Sequence, residues 1–424
     1  MITSGRMTRI FAALTLLCGV GTVHAGGVVG TGSSASCTPA ALTQALTGGG
    51  TVTFDCGPTA HTIVVPQRLT ISADTTIAGA NRIVLSGGGQ RGVLAVQGGR
   101  TLALSGVTVR EAAVDNWAIY VNDGATLEAR GLRVEACQRG GIYNAGGTVT
   151  VTDSVFFEID AGSAGAAITN EGDGVLTVER TTFQSNKNGA LYNGSVATIA
   201  DSVFNDNVGR SAGGGAIHNT AVMRIERSRF QRNKAAGGGA IYQSGDLVVE
   251  DSFFRANEAT TFDAGAIQLF NQTQTPSSLV VRASTFTDNV AERAGGAVRC
   301  DAPEGSCTLE NVTFSRNFAE DGSAGELSVK AGTVLAHHVT VLSGGTVAVE
   351  RLGGTLTLRN SVVHHGTCHG AITDAGGNVQ GEDGLCPDSF ATGDPALFAL
   401  ATNGGYTQTH EIGTSSAALG VPIS

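Results

Sequence analysis

Three sets of residues in this chain have side chains that do chemistry. His218, in the step Ala216-Ile217-His218-Asn219, occupies a repeat position held elsewhere by Tyr143, Tyr192 and Tyr242. Rings stacked in a row along one face can lie against sugar rings or a partner protein. The β-propensity of aromatic residues explains the same row without any ligand. Glu158 and Asp160, Asp263, and Glu320 with Asp321 fall in bends, where carboxylates could border a groove. Charged bend residues are ordinarily solvated surface. The third set is His337-His338 and His364-His365 with Cys368 and His369, which are the residue types of a zinc site.

The repeat decides against the metal. A shift that lays Val341 on Val363 puts His338 over Asn360 and His364 over Leu342, so the two histidine pairs do not stack. Cys368 also has a nearer partner in Cys386. A row of Asp153, Arg180, Asp201, Arg227 and Asp251 fails as a metal site too, because its signs alternate. Opposite charges one strand spacing apart make a structural ladder instead, each pair contributing about 0.2–1 kcal/mol. We therefore expect no metal and no cofactor, and assign no catalytic residue.

The elements that position these residues are repeats. Phe and Asn recur three apart at Phe183/Asn186, Phe204/Asn207, Phe230/Asn233, Phe254/Asn257, Phe286/Asn289 and Phe314/Asn317. Between them stand Gly214-Gly215-Ala216-Ile217, Gly238-Gly239-Ala240-Ile241 and Gly295-Gly296-Ala297-Val298. One column runs through Val109, Val134, Phe156, the six phenylalanines, Val341 and Val363, each ending a short alternating run. That spacing makes about eleven coils of roughly 25 residues, the length of one turn of a parallel β-helix. Stacked at one strand spacing they form a rod on the order of 50–55 Å long. The Phe column is expected inside, with Ile217, Ile241 and Ile267 also pointing inward. The Asn is expected to bond its own turn and accept the left-handed region. The glycines allow positive φ and close approach at a bend. Residues 51–390 form the solenoid. Residues 26–50, with a helical stretch from Thr38 to Leu46, cap its first coil. Residues 391–424 leave the repeat and are expected to pack loosely.

Composition narrows the partners. The chain has 424 residues, 61 Gly, 15% charged residues and a net charge of −10. An acidic balance disfavours nucleic acid and anionic lipid. Residues 1–25 have the form of an export signal, with Arg6 and Arg9, an apolar stretch from Ile10 to Val20 and a small-residue site at Val23-His24-Ala25. No other stretch reaches about 18 apolar residues, so no transmembrane span is expected in the mature chain. In an exported protein the local pairs Cys37/Cys56, Cys300/Cys307 and Cys368/Cys386 read as disulfides. Cys137 is left as a buried small hydrophobe.

The Gly-Gly-Ala-Ile step and the Phe-x-x-Asn pair resemble the repeat of the chlamydial polymorphic membrane proteins and related bacterial right-handed parallel β-helix proteins. The run Thr51-Val52-Thr53-Phe54-Asp55-Cys56-Gly57, followed by Leu69-Thr70-Ile71 and Asp74-Thr75-Thr76-Ile77-Ala78-Gly79, is similar to the opening of such exported helices. Gly393-Asp394-Pro395-Ala396-Leu397 with Asn403-Gly404-Gly405-Tyr406-Thr407-Gln408-Thr409-His410 resembles the closing segment of "choice-of-anchor Q" surface proteins. The resemblance implies right-handedness and a surface role. Two departures bear on location: no segment matches a C-terminal membrane barrel, and no sorting tail precedes Ser424.

The expected fold is an all-β, single-stranded right-handed parallel β-helix (pectin lyase-like solenoid) with an N-terminal cap. Pectin-degrading enzymes share that scaffold. Neither the Asn-Thr-Asp and Gly-His-Gly patterns of polygalacturonases nor the Asp-His strand motif of pectate lyases occurs here. The expected function is an exported, non-catalytic, adhesin-like protein at the cell surface, released, or held in a periplasm. Its expected partners are a polysaccharide or an envelope or host surface protein, with Tyr143, Tyr192, His218 and Tyr242 as the contact row. The alternative is a polysaccharide lyase or glycoside hydrolase acting on an extracellular polysaccharide.

Overall fold

A computed structural model describes residues 26–420 except 114–115, 163–165, 210–212, 274 and 383. The export signal lies outside the described residues. A typical coil carries three short strands, as in Thr148–Thr152, Val155–Phe157 and Ile168–Glu171. Every strand pairs in parallel with its counterpart one coil on: here Val175–Glu179, Thr182–Gln184 and Leu191–Asn193. The column of the second of these strands runs in register from Ile63 through Leu85, Val109 and Val134 to Val363, making about 13 turns. Eleven of these are the columns aligned from Val109 to Val363, and the apolar runs around Ile63 and Leu85 add two coils at the N-terminal end, as their sequence leads one to expect.

Phe156, Phe183, Phe204, Phe230, Phe254, Phe286 and Phe314 are fully buried. Successive rings from Phe183 to Phe286 lie parallel with centroids 4.7 Å apart. That is the strand spacing itself, so parallel register imposes the stack. Each ring excludes its own water and that of its neighbours; truncating one to Ala should cost about 3–5 kcal/mol.

The corners explain the polar columns. Three residues before each inward Phe or Val, the backbone turns left-handed: Asp153, Arg180, Asp201, Arg227, Asp251, Ala283, Asn311, His338 and Asn360 have φ between 44° and 54°. L-residues resist this region, Asn and Asp least. The two arginines are each held by the preceding coil, with Nε 2.7 Å from Asp153 for Arg180 and 2.9 Å from Asp201 for Arg227. The Arg180 and Arg227 guanidiniums hold these aspartates below the usual carboxylate range. The pairs are exposed, so solvent screens most of their attraction.

The Asn of Phe-x-x-Asn does not serve its own turn. The left-handed residue is the one before it, as at Ser185, Asp206 and Arg232. The Asn side chain points inward, fully buried, and donates from Nδ2 to Oδ1 of the Asn one coil on. Asn186, Asn207, Asn233, Asn257, Asn289 and Asn317 form this ladder at 2.8–2.9 Å. Each Nδ2 also donates to a Phe carbonyl of the preceding coil, as from Asn207 to Phe183 at 3.0 Å. Main-chain groups at a buried corner need such partners, and identical amides one strand spacing apart supply them coil after coil.

The ladder ends on Glu326. Gly344 occupies the position the next Asn would take, and its N–H donates to Glu326 Oε1 at 3.2 Å. Asn317 gives Oε1 its backbone N–H at 3.2 Å and Oε2 its side-chain amide. Burial pushes this fully enclosed carboxyl up to about 8, while the three N–H donors pull the other way.

Glycines set the coil spacing at one bend. A Cβ on Gly215, Gly239 or Gly265 would lie 2.2 Å from the carbonyl oxygen of Gly239, Gly265 or Gly296 respectively. No side chain fits there.

At the N-terminal end Val28–Val29 pairs with Thr53 and Phe54. Helix Pro39–Leu46 closes the first coil, with Thr38 accepting from Ala41 N at 3.1 Å and Leu42 fully buried. Disulfides join Cys37–Cys56, Cys300–Cys307 and Cys368–Cys386, and Cys137 is a buried free thiol. Burial pushes that thiol up to about 11. The segment after Thr392 does not pack loosely. It folds back as an antiparallel pairing of Leu397 with Ile412 and Ala401 with Thr409. Thr407 Oγ1 donates to Ala283 O at 3.1 Å, and Thr285 Oγ1 bonds Gln408 O. Thr285, on the strand of Phe286, thereby finds a carbonyl partner. Among the described residues, no helix is long and apolar enough to cross a membrane.

Candidate functional site

The third strand of each coil carries one residue that points outward between two that point inward. Ile142 and Asn144 are buried while Tyr143 between them is half-exposed; Leu191, Tyr192 and Asn193 repeat the pattern. Alternation along a strand dictates it. The inward residues form a second amide ladder, Asn144, Asn170, Asn193 and Asn219 at 2.8 Å per step, then Gln243 at 3.4 Å. This ladder pins the register, and pinned register is what lines up the outward side chains.

The outward column reads Tyr120, Tyr143, Thr169, Tyr192, His218 and Tyr242 in successive coils. Sequence reading missed two members. Thr169, buried and bonded by Ala166 N at 3.3 Å, separates Tyr143 from Tyr192. Tyr120 heads the column, stacked on Tyr143 at 5.2 Å, and Trp117 meets Tyr143 at 5.0 Å. The signal for Tyr120 was its place after Ile119, the same apolar-then-aromatic step as the others. The expected row is thus two clusters: Tyr143 with Tyr120 and Trp117, and Tyr192–His218–Tyr242.

In the second cluster His218 sits edge-on between Tyr192 at 5.4 Å and Tyr242 at 5.2 Å. Burial lowers the His218 pKa. Burial, then Asp301, raises that of Tyr242. In the first cluster the Tyr143 hydroxyl donates to Glu171 Oε2 at 2.5 Å. That bond, then burial, pushes Tyr143 up to about 12.

Beyond Tyr242 the same column turns ionic: Gln268, Arg299, Ser328 and Glu350. Arg299, its side chain 6% exposed, lies 3.2 Å from Asp263 and donates to Ser328 Oγ at 2.8 Å. Ser328 Oγ donates to Glu350 Oε1 at 2.6 Å. Lys330 Nζ lies 2.9 Å from Asp301, which also accepts from Gln272 at 3.1 Å.

Of the bend carboxylates, Asp263 reaches this face through Arg299. Asp160 accepts from Asn188 at 3.1 Å with Lys187 at 3.8 Å, and Asp321 accepts from Ser323 N at 2.9 Å. Glu158 and Glu320 are exposed. The histidines do not converge: His338 meets Asn360 at 3.3 Å, Leu342 pairs with His364, and Cys368 is in its disulfide. His364 and His365 line a cavity of about 430 Å³ with Glu382 and Asp394. Among the described residues, no group of three or more His, Cys, Asp and Glu is arranged to hold a metal.

Residues 164–383, half of the chain, match a protein family described as a right handed beta helix region. No curated protein matches the chain. It is similar to the solved structure of the Streptococcus pneumoniae surface protein and adhesin PfbA, at 12% identity and a TM-score of 0.37, over 87% of this chain and 99% of that one. It is similar also to the A-module of the Azotobacter vinelandii mannuronan C-5 epimerase AlgE4, at 14% identity and a TM-score of 0.37, over 87% of this chain and 97% of that one.

Proposed function

We propose that this chain, which belongs to the right-handed β-helix family, is an exported protein that works by binding along its outer face. Residues 1–25 direct export, and the three disulfides suit an oxidising compartment. The bound partner is a polysaccharide at the cell surface or in the medium, and the role is adhesin-like rather than catalytic. One observation carries this reading: half-exposed aromatic side chains recur at the same outward position through Tyr120, Tyr143, Tyr192, His218 and Tyr242. A row of ring edges and faces along a rigid rod suits an extended chain of pyranose rings, each contributing apolar contact. An envelope or host surface protein is the other partner class such a row fits.

The test is retention of residues 26–424 on immobilised polysaccharides, on whole cells and on isolated envelopes. Tyr192→Ala with Tyr242→Ala should weaken retention at least about tenfold, as for loss of two stacking contacts. No retention on any of these surfaces defeats the reading.

A second reading rests on His218. An imidazole set edge-on between two tyrosines, with burial lowering its pKa toward the unprotonated form, has the placement of a general base. It favours a polysaccharide lyase. Absorbance from unsaturated sugar ends, scanned over acidic and neutral polysaccharides and abolished by His218→Ala, would establish it; silence across the panel leaves binding as the function.

A further inference from the structure

At the head of the tyrosine column two guanidinium groups stand beside aromatic rings, with no acid answering them among the described residues. Arg68 lies 5.9 Å from the centre of the Tyr120 ring, and its Nη2 donates to Asn116 Oδ1 at 2.6 Å. Arg139 lies 6.0 Å from the Trp117 ring. Among the described residues neither forms an ion pair, and the Nε of each is shielded from solvent without a hydrogen-bond partner. The corner arginines behave differently, since Arg180, Arg227, Arg232 and Arg316 each face an Asp of the preceding coil. Leaving buried N–H donors unanswered is costly, and such donors recur where a ligand supplies the acceptor.

The cluster is built, and two glycines make its room. A Cβ on Gly92 would lie 2.6 Å from Arg68 Nε, and one on Gly140 would lie 2.0 Å from the Trp117 ring. Trp117 is 5% exposed and backs Tyr143, whose hydroxyl is tied to Glu171. Among the described residues Glu171 is the one carboxylate in contact with the cluster, through the Tyr143 hydroxyl.

We propose that Arg68, Tyr120, Tyr143 and Arg139, backed by Trp117, form a subsite for an acidic sugar residue. The outer edges of the stacked tyrosines border the sugar, and the guanidiniums take its carboxylate or sulfate. Planar guanidinium donors match either oxyanion. The proposal rests on the polysaccharide-binding reading and names its ligand class. The chain as a whole is acidic, with a net charge of −10. Selection for an acidic polymer therefore arises locally and weakens with added salt.

The experiment measures affinity of residues 26–424 for polygalacturonate, dextran sulfate and neutral dextran at low and high salt. The wild-type chain should prefer an acidic polymer over dextran by about tenfold or more, the scale of one charge-assisted contact. Polygalacturonate and dextran sulfate separate a carboxylate from a sulfate ligand. Arg68→Gln with Arg139→Gln should erase the preference. Arg139→Gln alone, which gives up only the Trp117 contact, should lower it in part and keeps the test open if the double variant does not fold. Equal binding of all three polymers, or a preference that survives Arg139→Gln undiminished, overturns the subsite while leaving polysaccharide binding standing. Binding of none overturns both.

Discussion

The outward column has two halves on one backbone. From Tyr120 to Tyr242 it presents half-exposed rings; from Gln268 to Glu350 it presents charges and amides that are almost wholly buried. Strand geometry and register are the same in both. The bends differ: in the ionic half the loop from Phe270 to Ser278 and the Cys300–Cys307 staple flank the column, and Asp263 reaches over it to Arg299. Where bends are short, outward positions stay available to a ligand; where they are long, those positions become a second interior that must satisfy its own charges.

If that contrast holds, the ionic half should be sensitive in stability and the aromatic half in binding. The largest effect is expected at Arg299→Met. It strands Asp263 and Glu350 without their cation and should cost about 3–5 kcal/mol in urea unfolding. A loss below about 1 kcal/mol would mean that water reaches the cluster and that the half is not an interior.

A pH slope from Glu326 should come next, on the scale of a few kcal/mol at about 1.4 kcal/mol per pKa unit. The folded carboxyl titrates near 8, above its ordinary value. Between the two pKa values the native chain holds a proton that the unfolded chain has lost. Stability should therefore fall as pH rises through that window, and be lowest above 8. Unfolding of Glu326→Gln from pH 5 to pH 8 should show a flatter slope than wild type; an unchanged slope would mean the carboxyl is ionised throughout.

Removing the staple with Cys300→Ser and Cys307→Ser should cost about 2–3 kcal/mol, near the low end because the loop is short. Urea midpoints read it. The smallest change in stability is expected in the aromatic half: Tyr192→Ala should move the unfolding free energy by less than about 1 kcal/mol, because the ring is half-exposed. A larger loss would make the row a structural cover.

Much of this was legible as a repeat. The Phe column, the coil bends, the capping helix and the three cysteine pairs all rest on local patterns that stacking merely repeats. What escaped was contact between coils. Asn207 was read as serving its own turn because Asn so often does; its actual partners, Phe183 and Asn233, are 24 and 26 residues away. Arg299 and Asp263 likewise meet across 36 residues, a separation that depends on bend lengths no local pattern fixes. Thr169 was missed for a simpler reason: it breaks the aromatic type.

The returning C-terminal segment has a mechanical consequence. A stack of coils ordinarily unzips from its free end, one rung at a time. Here Thr407 and Gln408 clasp Ala283 and Thr285, several rungs inboard of the last. A pull on the C-terminus is therefore taken first by the side of the rod, in shear, and peeling begins only after the clasp lets go.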